Sequence, residues 1–212
     1  MRLVRIEAAH HFFANAPEHL EDRAAEEAFR VGRTSWSAFF SFSSPYAIVY
    51  PMIPTPQDSI YVGQLLASKE FFERSTGVLD EADSGFRPRE GMMTVAQQVW
   101  HAGQTLDWFI EGATRPEGFD LDFGKIGKAL EAVTSLAAAR QVLEGAYANA
   151  IRFFRSQSPE DLARPLPPGP VMGGQPIGGI VWAMVEHTAH HRGALTVYSR
   201  ELGKVPPMPY GG

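Results

Sequence analysis

Along residues 180–202 apolar and polar positions recur with a helical period. Ile180, Met184, Ala194, Leu195, Tyr198 and Leu202 share one face when each residue advances by about 100°. Upstream the same period returns. Residues 59–79 carry Ile60, Leu65, Phe72 and Leu79 as apolar contacts, with Asp58 as the expected N-cap and Gly85-Phe86-Arg87-Pro88-Arg89 as the break beyond. Residues 94–112 place Val95, Val99, Ala102, Leu106 and Ile110 on one face, opened by Thr94 and Gln97 in the spacing of a capping box. A loop over 116–124, a short helix over 125–131 and a longer helix over 135–156 follow. A stretch rich in Pro and Gly, 158–179, leads to the last helix, which Gly203, Pro206 and Pro207 close. The four long helices, each about 30 Å in length, predict an all-α four-helix bundle over residues 57–205. Gly173-Gly174-Gln175-Pro176-Ile177-Gly178-Gly179 lacks the Gly-Lys-Ser/Thr ending of a phosphate loop and reads as a flexible entry to the last helix.

The front of the chain does not follow this pattern. Residues 1–51 hold three of the 7 histidines and no lysine, and they show no regular order of turns and helices. They are read as an N-terminal extension, with 52–212 as the bundle domain. Met52 is a candidate for the true start, and an arm that packs on the bundle or mediates assembly is the alternative. The start Met1-Arg2-Leu3-Val4-Arg5-Ile6-Glu7 has no apolar core of an export signal. The apolar segment 36–53 is interrupted by serines and by Pro45 and Pro51, short of the about 20 apolar residues that a span needs. A cytoplasmic protein without membrane attachment is the expectation.

Charge and composition narrow the chemistry. The formal net charge is −5 and the 19 basic residues form no cluster, so nucleic acid is not expected as a partner. With 0 cysteines there are no disulfides, no thiolate ligands and no Cys nucleophile. Histidine and carboxylate remain as ligands. His187 and His191 lie one turn apart, about 40° from each other, inside the apolar stripe of the last helix. Two imidazoles on a buried face cost free energy unless something satisfies them, and one metal ion would satisfy both. A core histidine bonded to a carbonyl or water is the alternative for either ring. His190 sits about 60° to the other side of His187. It is a second ligand in place of His191, a supporting partner or a solvated residue, and His191 follows the stripe more closely.

The candidate third ligand is His101. It lies about 200° from Val99, on a stripe with Gln97, Gln104 and Trp108, away from the main apolar face. Either it is a surface histidine, or the second helix buries two faces, one of which lines a polar cleft. Gln104 and Trp108 are then candidates for the cleft wall, with a surface position for Gln104 and a core position for Trp108 as the alternatives. Glu186 points about 100° away from His187, which fits a structural salt bridge. Arg192 fits a salt bridge or a helix-packing contact.

Taken together, the capping box, His101, Glu186-His187-Thr188-Ala189-His190-His191-Arg192-Gly193 and the ending Gly203-Lys204-Val205-Pro206-Pro207-Met208-Pro209-Tyr210 resemble the DinB/YfiT-like family. That family is distinct from the DNA polymerase sharing the first name. The resemblance covers about residues 54–211 and implies a four-helix bundle, commonly a homodimer, with one divalent ion. It implies His101, His187 and His191 as the metal ligands. Residues 1–51 have no counterpart in the family pattern. Zinc or nickel is the expected ion, with iron or manganese as alternatives, since imidazole discriminates poorly among them.

A family likeness of this kind also implies an activity: transfer of a low-molecular-weight thiol to a small electrophilic substrate. The thiol would arrive as a cofactor, because the chain has none. Metal-assisted hydrolysis is the competing activity, although the His-Glu-x-x-His arrangement is absent. A non-catalytic, metal-binding stress protein is the third reading. A di-iron carboxylate bundle is excluded, since it needs Glu-x-x-His motifs on two helices.

Overall fold

A computed structural model describes residues 59–211 of the chain. Its long elements are helices: α1 (Ile60–Thr76), α2 (Val95–Thr114), α3 (Phe123–Glu131), α4 (Leu136–Ser156), α5 (Pro159–Ala163) and α6 (Ile180–Glu201). Among the described residues there is no strand, and Pro165 and Pro176 form an isolated antiparallel bridge. No described helix is long and apolar enough to cross a membrane. The extension expected over residues 1–51 lies outside the described residues.

Side chains at the helix starts explain where the elements begin. The Thr94 hydroxyl accepts from Gln97 N–H (3.3 Å), and Gln97 Oε1 accepts from Thr94 N–H (2.9 Å), completing the expected capping box. Ser135 caps α4 and Asp122 caps α3 from one side only, their side-chain oxygens accepting from Ala138 N–H and Lys125 N–H. At α1 the N-cap is Ser59, whose hydroxyl accepts from Val62 N–H. The expected cap, Asp58, lies outside the described residues. After α6, Gly203 takes a positive φ of 74°, which glycine adopts without strain.

Helix contacts define an order around the bundle in which α1 and α2 each pack on both α4 and α6. The consecutive pair α1 and α2 therefore lies across one diagonal, and α4 and α6 lie across the other. Helix directions follow from paired residues. Tyr61, at the start of α1, stacks on Phe154 near the end of α4, with ring centroids 5.4 Å apart. At the far end of α1, Arg140 Nη2 donates to the Thr76 carbonyl (2.9 Å), so α1 and α4 are antiparallel. Tyr61 lies against Gly178, just before α6, and Ser68 meets Thr188 within α6 (2.8 Å), so α1 and α6 run parallel. Gly103 packs on Leu143, and Asp107 accepts from Asn149 (3.1 Å), so α2 and α4 also run parallel. The bundle is up–down–down–up.

Parallel neighbours need a connection that returns the length of the bundle, and residues 115–135 supply it. Trp108 Nε1 donates to the Asp120 carbonyl (2.8 Å) near the end of α2. Gln97 Nε2 donates to the Leu130 carbonyl (3.2 Å) near its beginning. The chain thus runs back along α2 through α3 before α4 starts. Trp108, a candidate for the cleft wall with a core position as the alternative, fastens this return segment and packs on Phe119 at 4.7 Å between centroids.

The interior is apolar, with Leu65, Phe72, Val99, Leu106, Leu143, Phe154, Met184 and Leu195 all buried. Two features bring the helices close. A Cβ at Gly103 would lie 2.7 Å from Leu143 Cα, so α2 and α4 meet backbone to backbone there. Ser68, Tyr147 and Thr188 form a buried hydroxyl cluster joining α1, α4 and α6, with oxygens 3.0 and 2.8 Å apart. Ile60 departs from expectation. It is 73% exposed because it lies about 200° around the helix from Val62, which is fully buried, and so faces away from the core.

Candidate metal centre

α2 and α6 are antiparallel neighbours: Tyr198, late in α6, reaches the Met93 carbonyl just before α2 (3.2 Å). This crossing carries His101 of α2 to the level of His187 and His191 on α6. Their ring centroids lie 5.1 Å (101 to 187), 5.0 Å (101 to 191) and 4.5 Å (187 to 191) apart. One nitrogen from each ring falls within 4.8 Å of the other two, and among the described residues no carboxylate joins the group. α2 therefore buries two faces, as one of the alternatives for His101 requires. The face with Gly103 packs on α4, and the face with His101 turns to α6.

His191 is 5% exposed, and His101 and His187 are half-buried. Burial disfavours the charged form of each ring. It pushes His191 down to about 3 and His187 down to about 4, helped in both by repulsion among the neighbouring imidazoles. His101 is also lowered by burial, opposed by the Gln104 side chain and reinforced by His190. All three rings are thus neutral at pH 7, with lone pairs for a ligand.

Four buried side-chain atoms among the described residues have no hydrogen-bond partner, and two of them are His101 Nδ1 and His187 Nδ1. Buried polar atoms left so are costly, but an ion held through His187 Nε2 would not reach Nδ1 of the same ring, so the fit to an ion rests on the nitrogens that face one another. The nitrogens His187 Nε2 and His191 Nε2 face each other at 3.2 Å. Two donors at zinc–imidazole distances in a tetrahedron are separated by about 3.3 Å. The residues present fit a divalent ion: neutral imidazoles, one pair at coordination spacing, and a third ring that needs at most about 1.5 Å of closure.

Sequence reasoning passed over Gln98. Its side chain is 8% exposed, its Oε1 meets His191 Nδ1 in a short contact, and its Nε2 donates to the Tyr198 hydroxyl (3.3 Å). The available signal was its place three residues before His101, on the same side of α2. The other expected participants take different places. Gln97 caps α2 and holds Leu130. Gln104 is half-buried beside His101. His190 is exposed, with its ring 5.1 Å from His191. Glu186 is exposed and forms no ion pair among the described residues, so the salt bridge expected of it is not found there. Arg192 lies over the Phe71 ring, 5.7 Å from its centroid, and is a helix-packing residue.

Fold and site together define a four-helix bundle with a histidine cluster between two antiparallel helices. The model of the DinB superfamily matches residues 64–195, and the chain belongs to that superfamily. Its fold is similar to that of YfiT from Bacillus subtilis, described as a probable metal-dependent hydrolase with an unusual four-helix bundle topology. The TM-score is 0.55 at 16% identity, over 74% of this chain and 96% of that one. No curated protein matches the chain.

Proposed function

We propose that this protein is a metal-dependent enzyme in which His101, His187 and His191 hold one divalent ion, and that it transfers a low-molecular-weight thiol to a small electrophile. The observation that carries the reading is the donor set: three neutral imidazoles, His191 buried and His101 and His187 half-buried, with no carboxylate among them in the described residues. Such a set leaves the charge of an ion uncompensated. When bound, the ion would supply a Lewis acid strong enough to draw the proton from a coordinating thiol or water. A thiol with a pKa of about 8.5 needs no separate base for this.

What the chain's own residues contribute is placement. The antiparallel packing of α2 on α6 sets the three rings around one point, and burial keeps them unprotonated. With 0 cysteines in the chain, the sulfur must come from a cofactor. The sulfur–carbon bond forms as the leaving group departs with its electron pair, and the thiol proton passes to solvent.

Hydrolysis is the second reading, favoured by the likeness to YfiT. It would draw on His190, exposed beside His191, as the group that accepts a proton from water. The two activities separate in one assay. Zinc- or nickel-loaded protein is given an activated ester or an alkyl halide, with and without a small thiol. Thioether formation that needs both metal and thiol supports the proposal, whereas acid release without thiol supports hydrolysis. Elemental analysis of the purified protein names the ion. A homodimer belongs to the same proposal, and light scattering at micromolar concentration tests it.

A further inference from the structure

Neutral imidazole binds a metal through whichever nitrogen lacks a proton, so a histidine ligand is useful only in one of its two tautomers. In His191 that choice is made by a chain of hydrogen bonds reaching away from the cluster. The chain ends at the Met93 carbonyl, which can only accept. It therefore takes the Tyr198 proton (3.2 Å). With its proton committed, the Tyr198 oxygen is left as an acceptor for Gln98 Nε2 (3.3 Å). The Gln98 amide is thereby turned with Oε1 toward His191 Nδ1, and that nitrogen must carry the hydrogen. His191 Nε2 is left bare, and it is the nitrogen that faces His187 Nε2 at 3.2 Å. Running the chain the other way strands the Met93 carbonyl without its donor.

We infer that Gln98, oriented by Tyr198, is a positioning residue that holds His191 in the Nδ1–H tautomer, so that Nε2 is available to the cluster before any ion arrives. The role of Nε2 as a ligand rests on the metal reading above; the tautomer does not. Gln98 is buried and comes from α2, as His101 does, so the same helix that supplies one donor also orients a second from α6.

The test uses the full chain in its metal-free form, ¹⁵N-labelled, with zinc as the probe. Long-range proton–nitrogen correlations read the His191 tautomer directly, and a zinc titration against a competing chelator reads affinity. Wild type should show His191 protonated at Nδ1. Gln98→Met removes the acceptor at nearly constant volume, and should mix the tautomers and weaken zinc about 10–100-fold, the usual range for a residue supporting a metal ligand. Gln98→Glu keeps an acceptor oxygen and should restore the single tautomer. Tyr198→Phe should show a smaller loss than Gln98→Met, because the amide is then free to turn over. A wild-type His191 protonated at Nε2 overturns the inference, as does a folded Gln98→Met protein with an unchanged tautomer. If wild type shows the Nδ1–H tautomer and takes up no zinc, the metal reading fails and the positioning role stands.

Discussion

His187 and His191 hold their pKa values near 4 and 3 chiefly because they are buried, and this ties the stability of the metal-free protein to pH. In the unfolded chain each ring titrates near about 6.5. Between that value and the folded values the unfolded chain binds more protons. The contribution of the neutral rings is therefore fully present above about pH 6.5 and is lost as the pH falls toward 4 and 3. Thermal melts without metal should give a lower Tm at pH 5 than at pH 7, with a smaller drop in His191→Gln; an equal drop in that variant would remove His191 as the cause. Ligand identity is tested separately. Alanine at His101, His187 or His191 should strongly reduce the metal-to-protein ratio at fixed metal supply, while His190→Ala should change it much less. Loss in His190→Ala with retention in His191→Ala would move the second ligand to the exposed ring. The His187 and His191 pair was legible because its spacing coincides with the apolar stripe. Gln98 was not, since a glutamine on a helix gives no sign of what its amide meets across the bundle.

Among the elements, α2 has the most exacting position. It touches α4 through Gly103 and presents His101 to α6 two residues earlier in the chain. At Gly103 an added Cβ would sit 2.7 Å from Leu143 Cα and 2.9 Å from Leu143 N, backbone atoms that cannot rotate aside. Gly103→Ala should therefore push α2 away from α4, at a cost of about 1–3 kcal/mol, the usual range for overpacking. Urea unfolding measures the loss. The same shift moves His101, so metal affinity should fall together with stability; an unaffected midpoint would mean that the two helices have slack. Element boundaries were largely legible: α6 ends at Glu201 against an expected 202, and the capping box at Thr94 stands where its spacing places it. Neighbour relations were not. Periodicity tells which face of a helix is apolar but not which helix covers it, and only the structure shows α1 and α2 across a diagonal. For the same reason Trp108 could be read as a cleft residue until its indole was seen to hold Asp120.

For the molecule as a whole, the core and the metal cluster are separable in energy. Leu65, Phe72, Val99, Leu106, Phe154 and Leu195 are buried independently of any ion, so the bundle should remain folded without metal, unlike a zinc finger. Metal that binds only the folded form should still add to its stability, by about 2.7 kcal/mol when free ion is at 100 times its Kd. Calorimetry with and without zinc checks this, and a protein that unfolds on chelation would contradict it. The same separation bears on the front of the chain. All three proposed ligands, the Gln98 and Tyr198 support, the hydroxyl cluster of Ser68, Tyr147 and Thr188, and the capping side chains of α1, α2 and α4 lie within residues 59–211. A protein beginning at Met52 is therefore expected to melt cooperatively, with a Tm close to that of the full chain, and to bind zinc with the same stoichiometry. Retention of both properties would assign residues 1–51 to a task other than building the bundle or its site. Aggregation or a broad, non-cooperative melt of the shortened chain would show instead that those residues cover apolar surface of the domain.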